Sequence, residues 1–243
     1  MSVKDKVIII TGASSGIGLA STKVLLEDGA KLAVAARHVD NLNELAKNHA
    51  DNMLVQKTDV SDYDQVESLV KATVEKFGHV DVLFNNAGIM PVSYLRETRL
   101  ADWRKMVDVN IMGVLNGIAA VLPLMEKQGH GHILATDSTA GHKTFPKFAV
   151  YSGTKFAVKA IMDGLHQEEA GKNIKSTLIT PGTTRTNLIN TIPGEKDREA
   201  EEKTQETATL DPINLAYAVK FAIDTPDNVS VNEINMIPTG QLV

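Results

Sequence analysis

The chain has 243 residues, 43% of them hydrophobic and 23% charged, with a formal net charge of -5 and no cysteine. It is long enough to bury a substantial core, as one large α/β domain or two small ones. Lysines and arginines are spread along an acidic chain, which argues against a nucleic-acid surface, and the absence of cysteine excludes disulfides, thiolate catalysis and Cys-ligated metals.

In chain order, "KVIIIT" is near-continuously apolar, as a strand covered on both faces is, and the run is too short for a signal peptide or a membrane span. "IGLASTKVLLEDG" follows with helical periodicity and a stop at Gly29. "AKLAVAAR" reads as a second strand, "NLNELAKNH" as a short helix and "MLVQKTDV" as a third strand. Asp62 is placed to cap a helix running to about Phe77, with Gly78 beyond its end. "VDVLFNNAG" is a fourth strand with its exit loop, and a long helix is expected from about Leu100 to Lys127. "GHILATDS" is a fifth strand, Tyr151 to about Ala170 a helix stopped by Gly171, and "IKSTLITPG" a sixth strand stopped by Pro181. Residues 188–209 are charged and turn-rich, an insert whose order the sequence leaves open. A helix from about Pro212 to Ala222 precedes the last strand, "SVNEINMI". The unbroken alternation predicts a single domain over 1–243, an α/β doubly wound parallel sheet of Rossmann type with about seven strands and helices on both faces.

"TGASSGIG" lies between the first strand and the first helix, where such a sheet holds a dinucleotide. Gly12 permits a tight turn, Gly16 lets backbone approach a pyrophosphate at the helix N-terminus, and Gly18 allows close helix–strand packing. Ser14, Ser15 and Ile17 complete the loop as candidate contacts. The spacing is G-x-x-x-G-x-G, which is neither the general dinucleotide fingerprint nor a P-loop. An NAD site usually has Asp or Glu at the end of the second strand; here Ala36 stands there and Arg37 follows, a guanidinium suited to fork onto a 2'-phosphate. That pattern points to NADP, with a solvated strand-end role as the alternative for Arg37. His38 is either an adenine contact or an exposed histidine.

"YSGTK" puts Tyr151 and Lys155 one helical turn apart on one face. By itself the pair is either a surface couple, with the lysine stem along the ring, or an acid catalyst with its tuning charge. "TGASSGIG", "NNAG" at Asn85 to Gly88, Asn110 in "DVNIMG", Ser138 in "STAG", "YSGTK", and Pro181-Gly182 followed by Thr186 occur together and in order. In this set the chain resembles the short-chain dehydrogenase/reductase family in its single-domain form, over nearly its whole length. The ending "VNEINMIPTGQ" also resembles the subgroup of NADP-dependent serine and 3-hydroxy acid dehydrogenases. Two positions depart from the family pattern. Asp137 stands where a second Ser is common, and Arg185 where smaller or apolar residues are common; Arg185 faces either solvent or a substrate carboxylate.

The resemblance implies an NADP-dependent oxidoreductase acting on CH–OH groups, without metal, on a small alcohol or its ketone or aldehyde, 3-hydroxy acids included. It implies Tyr151 as general acid and base, Lys155 as the charge that, with the positive oxidised nicotinamide, favours the phenolate and that also binds the nicotinamide ribose, and Ser138 as donor to the substrate oxygen. Asn110 would distort its helix and hold a water leading from Lys155, or else be a helix-surface amide. Asp59, with Val60 beside the ring, would accept from the adenine amino group, cap a turn, or do both. Asn86, Ala87 and Gly88 would meet the adenosine ribose, while Pro181, Gly182 and Thr186 would line the nicotinamide side. Candidate substrate contacts are Met90, Ser138, Thr139, Ala140, His142, Phe145, Phe148 and the 188–209 insert. The acidic and basic residues from Glu195 to Glu202 read as a solvated helix face. A homo-tetramer in the cytoplasm, with no nucleic-acid or membrane partner, completes the expectation. The competing readings are an NAD-using or double-bond-reducing enzyme on the same fold, and a non-catalytic nucleotide-binding redox sensor.

Overall fold

The computed structural model describes residues 2–241. Its centre is one sheet of seven parallel strands in the order β3-β2-β1-β4-β5-β6-β7. The strands are β1 (Val7–Thr11), β2 (Lys31–Ala36), β3 (Met53–Lys57), β4 (Val82–Asn85), β5 (Gly131–Thr136), β6 (Ile174–Pro181) and β7 (Glu233–Met236). Every residue of β1 and β4 is buried, which is why these strands read as unbroken apolar runs rather than as alternations.

Helices cover both faces. On one side α1 (Gly16–Glu27), α2 (Asp40–Ala46) and α8 (Pro212–Ile223) enclose a core that includes Ile8, Ile10, Leu25, Phe84 and Leu215. On the other, α3 (Tyr63–Phe77), α5 (Gly113–Gln128) and α6 (Ala149–Glu169) enclose Ile9, Leu83, Val121, Ile133 and Met162. Local chemistry sets several ends. The Asp62 side chain accepts from the N–H of Gln65 to start α3, and Gly78 ends it in the left-handed region, at φ 90°. Pro212 occupies the first turn of α8, whose N-cap Asp211 accepts from the N–H of Ile213.

Three expectations change. The long helix from Leu100 is three pieces: α4 (Leu100–Met106), a π-turn over Val107–Met112, and α5. Taken together, Leu100–Gln128 is long and apolar enough to cross a membrane by composition, yet here Val114, Val121 and Met125 pack into the core beside the sheet. Helix α6 is not stopped by Gly171: it ends at Glu169, a 3-10 turn follows, and Asn173 supplies the left-handed residue at φ 59°. The insert is regular. A 3-10 turn over Asn187–Thr191 leads to α7 (Glu195–Thr207), built from good helix formers with Glu195 and Asp197 on the favourable end of the helix dipole. An ion pair between Asp197 and Lys147 fastens its first turn to the segment before α6.

The strand order reverses direction between β1 and β4, which leaves a crevice above their C-terminal ends. The loops that leave β1, β4, β5 and β6 all open there.

Candidate active site

One cavity of about 720 Å³ occupies that crevice. Its first wall is the β1–α1 loop. Gly12 and Gly16 both take the left-handed region, at φ 63° and 53°, and a Cβ on Gly18 would lie 2.4 Å from the Gly12 carbonyl and 2.6 Å from Asn86 Nδ2. No larger residue fits at Gly18 without moving backbone. Asn86 is the knot that holds the loop. Its Nδ2 donates to the carbonyls of Thr11 and Gly12 at 3.1 and 3.2 Å, and its Oδ1 accepts from Thr136 Oγ1 at 3.0 Å. The N-cap of α1, Ser15, makes no side-chain bond to the helix, and the first turn contains no acidic residue. The helix therefore offers free N–H groups and positive dipole to an anion at the cavity wall.

At the far end Arg37 and His38 are exposed on the cavity rim beside Ala36. Asp59 Oδ1 accepts from the N–H and hydroxyl of Ser61, at 3.0 and 2.7 Å, so it caps a turn. Burial pushes its carboxyl up, but the Ser61 bonds and the Arg37 guanidinium outweigh this and hold it below the usual range. On the opposite side Thr186 covers the start of α1, where a Cβ on Gly16 would meet its methyl at 3.0 Å. This long, polar-ended cleft, with a free guanidinium beyond the second strand and an uncapped helix in the middle, fits a dinucleotide with an extra phosphate.

The chemical groups cluster at the other end. Tyr151, Thr154, Lys155, Val158, Met162 and Leu165 form the buried face of α6, so "YSGTK" is not a surface pair. Lys155 Nζ donates to the Thr136 carbonyl at 2.7 Å and lies 5.8 Å from the Tyr151 ring centroid. Ser138 caps the short turn after β5, where its Oγ accepts from the N–H of Ala140 at 3.1 Å, and its hydroxyl bears on the phenol as a hydrogen-bond partner. Burial pushes Lys155 down to about 8, partly offset by the carboxylate of Asp137. In the protein alone this ammonium does not draw the phenol below its free value; the sequence expectation counts the positive oxidised nicotinamide beside it. Burial pushes Tyr151 up, the Ser138 bond offsets only part of this, and Asp137 and Glu201 add to it.

Asp137, the departure noted in the sequence, is 1% exposed. Its Oδ2 lies 3.3 Å from His142 Nε2, within ion-pair distance, while neither oxygen has an aligned side-chain hydrogen bond. His142 Nε2 is also 3.0 Å from Glu233 Oε1, and Lys159 Nζ is 3.2 Å from His142 Nδ1. Burial pushes Asp137 up to about 6, against the pull of Lys155 and His142. A chain of ionisable groups thus runs from buried Asp137 through His142 to Glu233 and Lys159.

Not every candidate lies on the cavity wall. Gly18, Asn110 and His142 sit behind it; the other candidate cofactor, catalytic and substrate residues line it. The π-turn carries Asn110 inward, 1% exposed, where its Oδ1 accepts from the N–H of Ile89 and its Nδ2 donates to the Ile89 carbonyl and Thr154 Oγ1. It joins the β4 exit loop to α6 rather than facing solvent. Arg185 is exposed and off the wall, which resolves its alternatives in favour of solvent. Of the insert, Glu201, which the sequence places on a solvated face, Thr204 and Gln205 are the α7 residues on the wall, and motif reading missed Gln241, whose Oε1 accepts from the N–H of Thr183. Only the helical spacing of the three α7 residues could have singled them out. His132 is a core histidine, its Nε2 2.8 Å from Thr177 Oγ1, and burial pushes it down to about 3. Among the described residues no group of three His, Asp or Glu side chains is arranged for a metal.

Comparison with known proteins agrees with this architecture. The family model described as short chain dehydrogenase matches residues 6–197. An uncharacterized oxidoreductase of Staphylococcus saprophyticus is 46% identical over 243 residues, covering 99% of this chain and 98% of its own. Glycine betaine reductase of Emericella nidulans is 40% identical over 245 residues, covering 98% of this chain but 19% of that larger protein. Among solved structures, the closed form of a serine dehydrogenase complexed with NADP+ superposes with a TM-score of 0.92, at 29% identity over 98% of this chain and 96% of that one.

Proposed function

Because the chain belongs to the short chain dehydrogenase family, we propose that it is an NADP(H)-dependent oxidoreductase that interconverts a small alcohol and its ketone or aldehyde without a metal. The observation that carries this reading is Tyr151 beside Lys155 on the buried face of α6, with the Ser138 hydroxyl on the phenol, at the end of a dinucleotide-shaped cleft. The structural relative's NADP+ and the free Arg37 support the phosphorylated cofactor over NAD.

When bound, the nicotinamide supplies or accepts the hydride at the carbinol carbon. The chain's own residues move the proton and hold the oxygen. Tyr151 Oη gives its proton to the substrate oxygen in reduction and takes it back in oxidation. A phenol pushed up by burial stays protonated, which suits the acid role. Ser138 donates to the same oxygen as charge develops on it. Lys155, held by the Thr136 carbonyl, keeps a positive charge beneath the phenol and would bond the ribose hydroxyls. Asn110 is a positioning residue through Ile89 and Thr154.

The substrate set starts from small hydroxy compounds, serine and other 3-hydroxy acids among them. Serine and glycine betaine, named for two of the relatives, both carry an ammonium group. A cytoplasmic homo-tetramer is the proposed working form. Exposed Val107, Met112 and Phe156 on the α4–α6 side, and Tyr217 and Phe221 on α8 across the sheet, give the two separate apolar faces that a tetramer of paired dimers needs.

Tyr151→Phe tests the mechanism, since it keeps the ring and removes the proton carrier. Its kcat should fall by roughly 10²–10⁴-fold in a screen of aldehydes, ketones and keto acids, while NADPH still binds. Lys155→Met should lose turnover and also bind NADPH more weakly. A folded Tyr151→Phe protein with near wild-type turnover would overturn the mechanism.

A further inference from the structure

Helix α7 turns one face to the cavity, through Glu201, Thr204 and Gln205 at helical spacing, while Glu202, Lys203 and Glu206 are exposed. Glu201 is half-buried there, and no hydrogen bond or ion pair to it is found among the described residues. Cations stand nearby but are engaged. Lys147 is paired with Asp197, and Lys155 donates to the Thr136 carbonyl with the Asp137 carboxylate at its back. Glu201 lines the same cavity as Ser138, Tyr151 and Lys155, and its charge adds to the upward push on the Tyr151 phenol. The charge of Asp137 acts on Lys155, while among the described residues the carboxylate of Glu201 has no counter-ion. Its burial pushes it up, as expected of an anion with no counter-ion.

The same cavity is lined by aromatic rings. Phe145, Phe148 and Tyr151 form an edge-to-face row with ring centroids 6.1 and 6.2 Å apart. Phe145 already carries one cation, the ammonium of Lys143, 5.2 Å from its centroid. A carboxylate and aromatic rings lining one cavity are the groups that recognise a positive nitrogen. An anionic substrate would meet like charge; among the described residues the Lys and Arg that line the cavity are Lys155, held by the Thr136 carbonyl, and Arg37 at the far end, while Lys143 stands on the Phe145 ring and Arg185 is off the wall.

We infer that Glu201 and the Phe145–Phe148 wall select a small alcohol or carbonyl compound bearing an ammonium group. This rests on the alcohol–carbonyl reading above and narrows it. Glu201 holds the ammonium, and the aromatic row covers its carbon substituents. The pair sets the end of the substrate away from Tyr151, so the carbinol carbon is held at the phenol.

The test uses the full-length protein with saturating NADP+. Initial rates are compared for 2-aminoethanol, 2-(trimethylammonio)ethanol, the neutral 3,3-dimethylbutan-1-ol and the anionic 3-hydroxypropanoate. At least one ammonium alcohol should exceed the neutral one in kcat/KM by about 10- to 100-fold, the worth of one charge-assisted contact, and the anion should rank last. Glu201→Gln should shrink that ratio by about tenfold or more, and Glu201→Lys should favour the anion. Independently, tetramethylammonium binding to the NADPH complex is followed by cofactor fluorescence at constant chloride, in wild type and Glu201→Gln. Tetramethylammonium binding that Glu201→Gln weakens, with no alcohol turned over, would support the cation site and count against the alcohol–carbonyl reading. Turnover without charge preference, or a preference that Glu201→Gln leaves intact, would overturn the inference and leave that reading standing. Neither turnover nor tetramethylammonium binding would overturn both.

Discussion

Asp137→Asn removes the carboxylate that raises Lys155, the proposed partner of Tyr151, and changes almost nothing in size. In the wild type burial pushes Lys155 down to about 8, and Asp137 raises it. A close opposite charge shifts a pKa by about 1–3 units, so even the low end of that range puts the Lys155 of the variant at about 7. Near pH 7.5 the charged fraction of Lys155 then drops from about three-quarters to about one-quarter, roughly a threefold loss of rate. The sign follows from the direction of each shift. Removing the anion makes the ammonium harder to keep, so it is lost earlier as pH rises. Asp137 itself titrates at about 6, so below that pH the wild-type carboxyl is neutral too and the two proteins converge. Tyr151 is pushed up rather than down, which leaves the basic limb of carbonyl reduction to report Lys155. The assay is kcat/KM for reduction from about pH 5.5 to 9.5 at constant ionic strength. The basic limb should move about one unit toward acid. If the folded variant keeps the wild-type basic limb, Asp137 does not set the charge of Lys155 and the reasoning fails.

Two further outcomes are expected. Arg37→Glu should weaken NADPH by about 10- to 100-fold, the loss of one or two charge-assisted bonds, and change NADH less; fluorescence titration of both cofactors checks this, and a wild-type preference for NADH would contradict it. Light scattering at micromolar concentration should give a tetramer, and Phe221→Ser should reduce it to a smaller species; a stable wild-type monomer would end that proposal.

The alternation of strand and helix was legible because each element carries its own period and punctuation, as in Asp62 and Gly78 around α3. The π-turn at Asn110 was not legible from the apolar run, since a change of hydrogen-bond register needs no breaker residue; only the family resemblance implied a distortion there. The same holds for α6, where Gly171 is the obvious stop and Asn173 takes the left-handed turn instead. Glu233 could not be connected to His142 and Asp137 from their positions, because only the pairing of β7 beside β6 brings them together.

Glu201 marks the limit more sharply. Acidic residues recur through α7, and composition treats them alike. What separates them is the angle at which the helix docks, fixed in part by the Lys147–Asp197 pair and by a cavity built from loops far apart in sequence. Tyr151 makes the same point for chemistry. The spacing in "YSGTK" reveals a charge within reach of a phenol, and charge alone predicts a lowered pKa. Burial acts in the opposite direction on Tyr151 and lowers Lys155 as well, and burial is a property of the packed α6 face. The motif therefore identifies which atoms meet, while their proton affinities, and so the pH at which they work, are set by the packing and by Asp137, a residue outside the motif.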